Sequence, residues 1–239
     1  MQTKDWDHLK RERLHVTPRA LELASAAAQR RYGHIWAPLD DVMSWLKPLP
    51  AGLVQFWLGC PGGHLVLTHL PSRYASGEHF LTRQPLRNVA LICLSDLVER
   101  PLESLVPVGH LLDHLMGCGG AEQGTWLSEG GGVDAPLRDL GKRVARLFLL
   151  GYGFDALACQ QPRDYFARSL ALYLQDRRLL NVADPQVEKL FLGTLLSEAF
   201  WDSDRHPRRG GMPFAPEGDP GSLPQGKGDP TGEYLDLPL

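Results

Sequence analysis

Several features that would mark whole classes of function are missing from this sequence. Its four cysteines, Cys60, Cys93, Cys118 and Cys159, include no CxxC pair, so neither a cysteine zinc site nor a disulfide framework is indicated. Cys93 lies in an apolar run, where a thiol behaves as a small hydrophobe. No segment approaches the roughly 18 apolar residues of a membrane span, and the charged residues 1–13 have no signal-peptide core. These absences predict a cytoplasmic chain with no membrane partner. A surplus of positive charge is also missing, because 25 Lys and Arg stand against 28 Asp and Glu. The net charge of -3 gives no general attraction to a polyanion. The basic clusters at Lys142, Arg143 and Arg146 and at Arg177 and Arg178 fall in helical periodicity and read as solvated helix faces. No nucleic-acid partner is expected.

Familiar catalytic signatures are absent as well. The Gly-rich stretch 127–132 lacks the Lys-Ser/Thr of a phosphate-cradling loop and reads as a loop or lid. There is no nucleophile elbow and no serine-histidine-aspartate order. His64, His69 and His79 stand on or beside strand-like runs, where edge or surface placement is their ordinary role.

What is present is a globular composition of 239 residues, 43 % hydrophobic and 22 % charged, enough for one large or two small domains. Residues 1–50 read as an N-terminal helical segment packed on the core. Within them Thr17-Pro18 predicts a helix that runs to Arg31, with Thr as N-cap and Pro at the first position, and 40–46 predicts a second helix. Short runs rich in Val, Leu, Ile and aromatics at 53–58, 64–70 and 89–94 predict strands of a small sheet. Helical patterns follow at 105–116, 137–150, 163–180 and 187–200, the last opened by Asp184-Pro185. Helices, a few strands, then helices make an α+β domain over 51–202 with a small sheet and a mostly helical remainder. From 203 to 239 the chain holds 7 Gly and 7 Pro with few large apolar residues, which reads as a disordered tail.

The chemistry concentrates in 105–117. On a helix, Leu105, Val108, Leu112 and Leu115 follow the rhythm of a buried face, while His110 and His114, four apart, share another. Two imidazoles one turn apart can hold one metal ion if a third ligand comes from elsewhere.

The run Gly109-His110-Leu111-Leu112-Asp113-His114-Leu115-Met116-Gly117 resembles the second half of the zinc-binding helix of the metallopeptidases related to anthrax lethal factor and the Pro-Pro endopeptidases. That helix reads His-Glu-x-Gly-His, followed in many members by apolar-apolar-Asp-His. About fifty residues on, the stretch from Pro162 to Leu174 is similar to the family's Glu-Phe-Phe-Ala-Glu-Ala-Phe segment, and the resemblance spans roughly 63–174. It implies a zincin-like fold. Residue by residue, it places His110 on the second zinc histidine and Asp164 on the carboxylate ligand. Tyr152 falls near the family's oxyanion-donating tyrosine, at a longer spacing from Asp164 than is usual there.

The departures decide the functional expectation. Val106 and Pro107 occupy the positions of the first zinc histidine and the catalytic glutamate. Valine has no lone pair for a metal, and neither residue can move a proton. His110 and Asp164 then supply two ligands where a catalytic zinc needs three. Pro107 also lacks an N–H, so the helix is expected to begin near Ser104 or to kink. Arg168, in place of a second family glutamate, is positioned to pair with Asp164 at i, i+4.

These residues predict a non-catalytic pseudopeptidase that binds a peptide or protein in the former substrate cleft, with no cofactor expected. The alternative is an active zinc endopeptidase whose site has shifted by one turn to His110, His114 and Asp164, with Asp113 as base and Tyr152 as oxyanion donor. A third possibility is a structural or regulatory protein that acts through the 203–239 segment or the N-terminal helices. Tyr165, Phe166, Leu170 and Tyr173 recur at helical spacing and are expected to pack.

Overall fold

The computed structural model describes residues 2–81, 84–151 and 159–202. Tyr152 and the 203–239 segment lie outside the described residues. In chain order the elements are α1 (Gln2–Arg13), β1 (Leu14–Val16), α2 (Ala26–Arg31), α3 (Ala37–Leu46), α4 (Ala51–Gly59), β2 (His64–Thr68), β3 (Arg73–Leu81), β4 (Gln84–Cys93), α5 (Leu94–Glu99), α6 (Pro101–Cys118), α7 (Ala135–Leu150), α8 (Pro162–Ala183) and α9 (Pro185–Gly193). Single 3-10 turns lie at Leu127–Glu129 and Glu198–Phe200. The fold class is α+β, as the sequence pattern indicates. None of the described helices is long and apolar enough to cross a membrane.

The sheet has four strands in the order β1-β2-β4-β3. β1, β2 and β4 run parallel, while β3 returns antiparallel to β4 and forms one edge. Because strand side chains alternate, Leu65, Leu67, Ala90 and Ile92 face the main core, and Val66, Val89 and Leu91 face a smaller cluster on the other side. Leu9, Ala28, Val42 and Leu46 from the N-terminal elements belong to the main core, and Leu14–Val16 is a strand of the same sheet. The N-terminal residues are therefore built into the sheet as well as packed on it.

Three sequence readings are corrected here. Thr17 caps no helix: its N–H bonds to the Leu67 carbonyl and extends the β1–β2 pairing, and its buried hydroxyl bonds no N–H among the described residues. Arg19 then takes a positive φ of 59°, which an L-residue helix excludes, and α2 starts only at Ser25, whose hydroxyl accepts from the Ala28 N–H. Residues 53–58 form a helix, not a strand. A short apolar run fits either period, and Leu53, Val54 and Trp57 meet the core at helical spacing, with the Trp57 indole N–H donating to the Gly63 carbonyl at 2.8 Å. Strand β3 was not anticipated, since the polar Ser76, Gly77 and Glu78 interrupt its alternation where the register slips between Ala75 and Glu78.

The later helices follow their caps. Asp134 accepts from the Leu137 N–H to open α7, and Asp184 accepts from Gln186 and Val187 to open α9. The last helix stops at Gly193, short of the expected 200, and α8 is broken at Asp176. Helix α6 starts at Pro101 and runs continuously through Pro107, where a start near Ser104 or a kink was expected. Pro101 meets the first-turn preference for proline, whereas Pro107 is buried inside the helix with its ring on the cleft wall and withholds one backbone N–H there without ending the helix.

Helices α6 and α8 form the most extensive helix pair of the fold. A Cβ on Gly109 would lie 2.5 Å from Ala167 Cα and 2.6 Å from its carbonyl oxygen, so the two backbones touch where glycine permits it. Gly109→Ala is expected to cost about 1–3 kcal/mol by overpacking, read as a fall of roughly 2–12 °C in Tm for a chain of this size. Gly59→Ala, where nothing lies within 4 Å of the added carbon, should leave Tm unchanged or slightly raised. Equal Tm in both variants would show that the crossing is not tight.

Candidate functional site

A cleft of about 350 Å³ opens between the start of β3, one face of α6 and the first turn of α8. Arg73 and Tyr74 reach it from the edge strand, and Val106, Pro107 and His110 reach it from α6. Arg163 and Asp164 enter from α8, and Trp126 closes one wall. The contact of Gly109 with Ala167 brings the neighbouring His110 and Asp164 together, with His110 Nε2 3.5 Å from Asp164 Oδ1. His110 also meets the Trp126 ring edge-on, with centroids 6.2 Å apart.

Burial lowers the His110 pKa below the ordinary histidine value, and Arg163 and Arg168 add to that effect while Asp164 opposes it. The imidazole is thus neutral near pH 7, with a lone pair to offer a proton or a hydrogen-bond donor.

Trp126 is the centre of the wall. It stacks on His114 with ring centroids 4.8 Å apart and 17° between planes, meets Tyr74 edge-on at 5.7 Å, and carries the Arg163 guanidinium 4.1 Å above its ring. Arg163 is fixed there by two bonds to Glu129, at 2.8 and 3.0 Å. The planar fork matched to a carboxylate holds the cation flat on the indole.

His114 does not reach the cleft pair. Its Nε2–H donates to the Ala121 carbonyl at 2.7 Å, so its Nδ1 accepts a short bond from the Tyr74 hydroxyl. Burial lowers its pKa and raises that of Tyr74. With both ring nitrogens committed, no lone pair remains for a metal. Asp113 is fully buried one turn further along α6, where it accepts from the Ser128 N–H at 2.7 Å and the Ser128 hydroxyl at 2.6 Å. It fastens α6 to the turn after Trp126. Among the described residues no three His, Cys, Asp or Glu side chains are grouped to hold a metal ion. The structure therefore brings His110 and Asp164 together and leaves His114 and Asp113 apart from them. Tyr152 lies outside the described residues.

Two donors do not fit a zinc ion, which takes three protein ligands and a water in catalytic sites. Val106 and Pro107 line the cleft one turn before His110 and add no donor. Arg168 does not pair with Asp164. It reaches across to Glu103 on α6 at 3.0 and 3.4 Å, because the i, i+4 neighbour turns toward His110 instead.

Sequence reasoning missed Trp126, Arg163 and Tyr74. Tyr74 lies on the strand whose alternation is broken. Trp126 stands alone in a loop, and its one sequence signal is an aromatic residue next to the Gly-rich stretch.

Two titrations test this geometry. Burial pushes the Asp113 carboxyl up to about 7, against the pull of its two Ser128 bonds, while an unfolded aspartate titrates near 4. The folded state thus holds an extra proton between about 4 and 7 and loses stability as pH rises through that window. Asp113→Asn keeps an acceptor for the Ser128 N–H and removes the titration. The Tm difference between variant and wild type should grow in favour of the variant from about pH 4 to 7, and a constant difference would refute the raised pKa. For His110, NMR titration should give a pKa below about 6.5. Asp164→Asn should depress it further, and a rise would show that the two side chains do not meet.

No family model, curated protein or solved structure matches this chain, so what the cleft does must come from its own residues.

Proposed function

We propose that the chain is a zincin-like domain of the kind related to anthrax lethal factor and the Pro-Pro endopeptidases, with a degenerate centre, and that its cleft holds an extended peptide without cutting it. The observation that carries this reading is the shared placement of Val106, Pro107, His110 and Asp164 along one cleft. The two positions that match the family's ligands form a pair, and the two that should supply the first ligand and the base present apolar carbon to the same space.

The antiparallel edge strand β3 supports a peptide as the ligand. An edge strand has a free row of N–H and C=O groups, and the cleft begins where β3 does. A peptide added there as a further strand would bind through its backbone, with side chains directed into the cleft at alternate positions. Beside the Trp126 wall, His110 offers a neutral hydrogen-bonding group and Arg73 an exposed cation. In that cleft His110 and Asp164 face each other with no third ligand beside them among the described residues, and Asp113, the candidate base of a shifted site, is committed to Ser128.

Binding to a library of extended peptides, with cleavage monitored in parallel and zinc supplied, separates capture from hydrolysis. Peptide capture is expected without cleavage above background. Val106→Trp fills the cleft and should weaken capture at least tenfold, about 1.4 kcal/mol, with Tm little changed. Zinc-dependent cleavage that disappears in His110→Ala would overturn the proposal and point to an active peptidase.

A further inference from the structure

Helix α7 has a face that the cleft does not use. Leu137, Leu140, Gly141 and Val144 are buried, and the helix packs on the turn at Leu127–Glu129. Opposite them, Arg138, Asp139, Lys142, Arg143, Arg146, Leu149 and Leu150 are all exposed. At 3.6 residues per turn these seven fall within about 140° of the helix circumference. Four cations share that stripe with one acid. Lys142 approaches Asp139 at 3.6 Å, and Arg143 and Arg146 form no ion pair among the described residues.

The stripe ends in two leucines about 100° apart on the helix, one toward each side of the stripe, Leu149 at 81 % and Leu150 at 56 % exposure. An exposed leucine alone needs no explanation, but two adjacent ones at the end of a cationic stripe combine apolar surface with positive charge on one face. A phosphate backbone would be met by the cations but would gain nothing from the leucines. The headgroup region of an anionic bilayer takes both, since its surface charge attracts the basic residues and its acyl boundary accepts the apolar ones.

We propose that the outer face of α7 docks on an anionic lipid surface, with Arg138, Lys142, Arg143 and Arg146 at the headgroups and Leu149 and Leu150 inserted at the boundary. This departs from the expectation of no membrane partner, which rested on the lack of a spanning segment. A surface helix needs none. The proposal is independent of the peptide reading, because the residues of this stripe do not line the cleft.

Co-sedimentation of the full chain with phosphatidylcholine vesicles, with and without phosphatidylserine at about a third of the lipid, tests it. Three net basic charges at roughly fivefold each predict binding to the anionic vesicles about a hundredfold tighter than to the neutral ones, and most of that gain should vanish at high salt. The triple variant Lys142→Gln, Arg143→Gln, Arg146→Gln should lose at least tenfold, and Leu149→Ser with Leu150→Ser should lose severalfold. Circular dichroism and Tm should show both variants folded as the wild type, since the changed side chains are exposed. Equal binding to both vesicle types, or binding unchanged in either variant, would overturn the proposal. So would binding to duplex DNA as tight as to anionic vesicles and indifferent to the leucine changes, which would identify a phosphate-binding face instead.

Discussion

The contact between Gly109 and Ala167 is the constraint from which the cleft follows. Any side chain larger than hydrogen at 109 would run into the α8 backbone, and the interior leaves little room to absorb such a clash. Because the two helices touch there, the residue after Gly109 and the residue three before Ala167 fall on one cleft, and an imidazole and a carboxylate meet at 3.5 Å. The Arg168–Glu103 pair spans the same two helices from the opposite direction in sequence. Its partial exposure makes it a modest contributor to stability, but it takes Arg168 away from Asp164 and leaves that carboxylate to His110.

A second consequence concerns the polar groups of α6. Three titratable side chains lie within five residues, and each goes to a different neighbour: His110 to α8, Asp113 to Ser128, and His114 to Tyr74 and the Ala121 carbonyl. Buried polar groups need partners, so each commitment is also an exclusion. The ring of His114 is held between the edge strand and the following loop, with Trp126 stacked on it. It serves to join β3 and the loop to the helix, which positions the cleft wall and removes it from any metal set.

Much of this was readable from residue spacing, and the failures have physical causes. The helical period of 105–116, the capping pairs Asp134-Ala135-Pro136 and Asp184-Pro185, and the strands around 64–68 and 89–93 are local signals that tertiary contacts reinforced, whereas the parallel pairing of those strands was not legible. The run 53–58 failed because continuous apolarity carries no period. Thr17-Pro18 failed because pairing with Leu67, fifty residues away, keeps Thr17 in the sheet and the chain then turns at Arg19, whose φ of 59° is not helical. Within the site, the meeting of His110 and Asp164 was legible only through a resemblance, since no local rule links positions 54 residues apart. Trp126 and Arg163 were not legible at all, because a cation on an indole depends on where a loop folds back.

The loop between α6 and α7 links the two surfaces for which a function is proposed. Trp126 closes the cleft, Glu129 holds Arg163 against it, and Ser128 fastens the turn to Asp113. The other side of the same turn is the floor on which α7 packs, so closely that a Cβ on Gly141 would lie 2.3 Å from the Gly131 carbonyl oxygen. A displacement of α7 toward the turn would press on that contact. The turn in turn carries the tryptophan that shapes the cleft. Any ligand that bears on the outer face of α7 is therefore mechanically one layer from the cleft wall, through a backbone contact with no slack in it. That contact gives a physical route for coupling, which needs differential binding to two states before it becomes allostery.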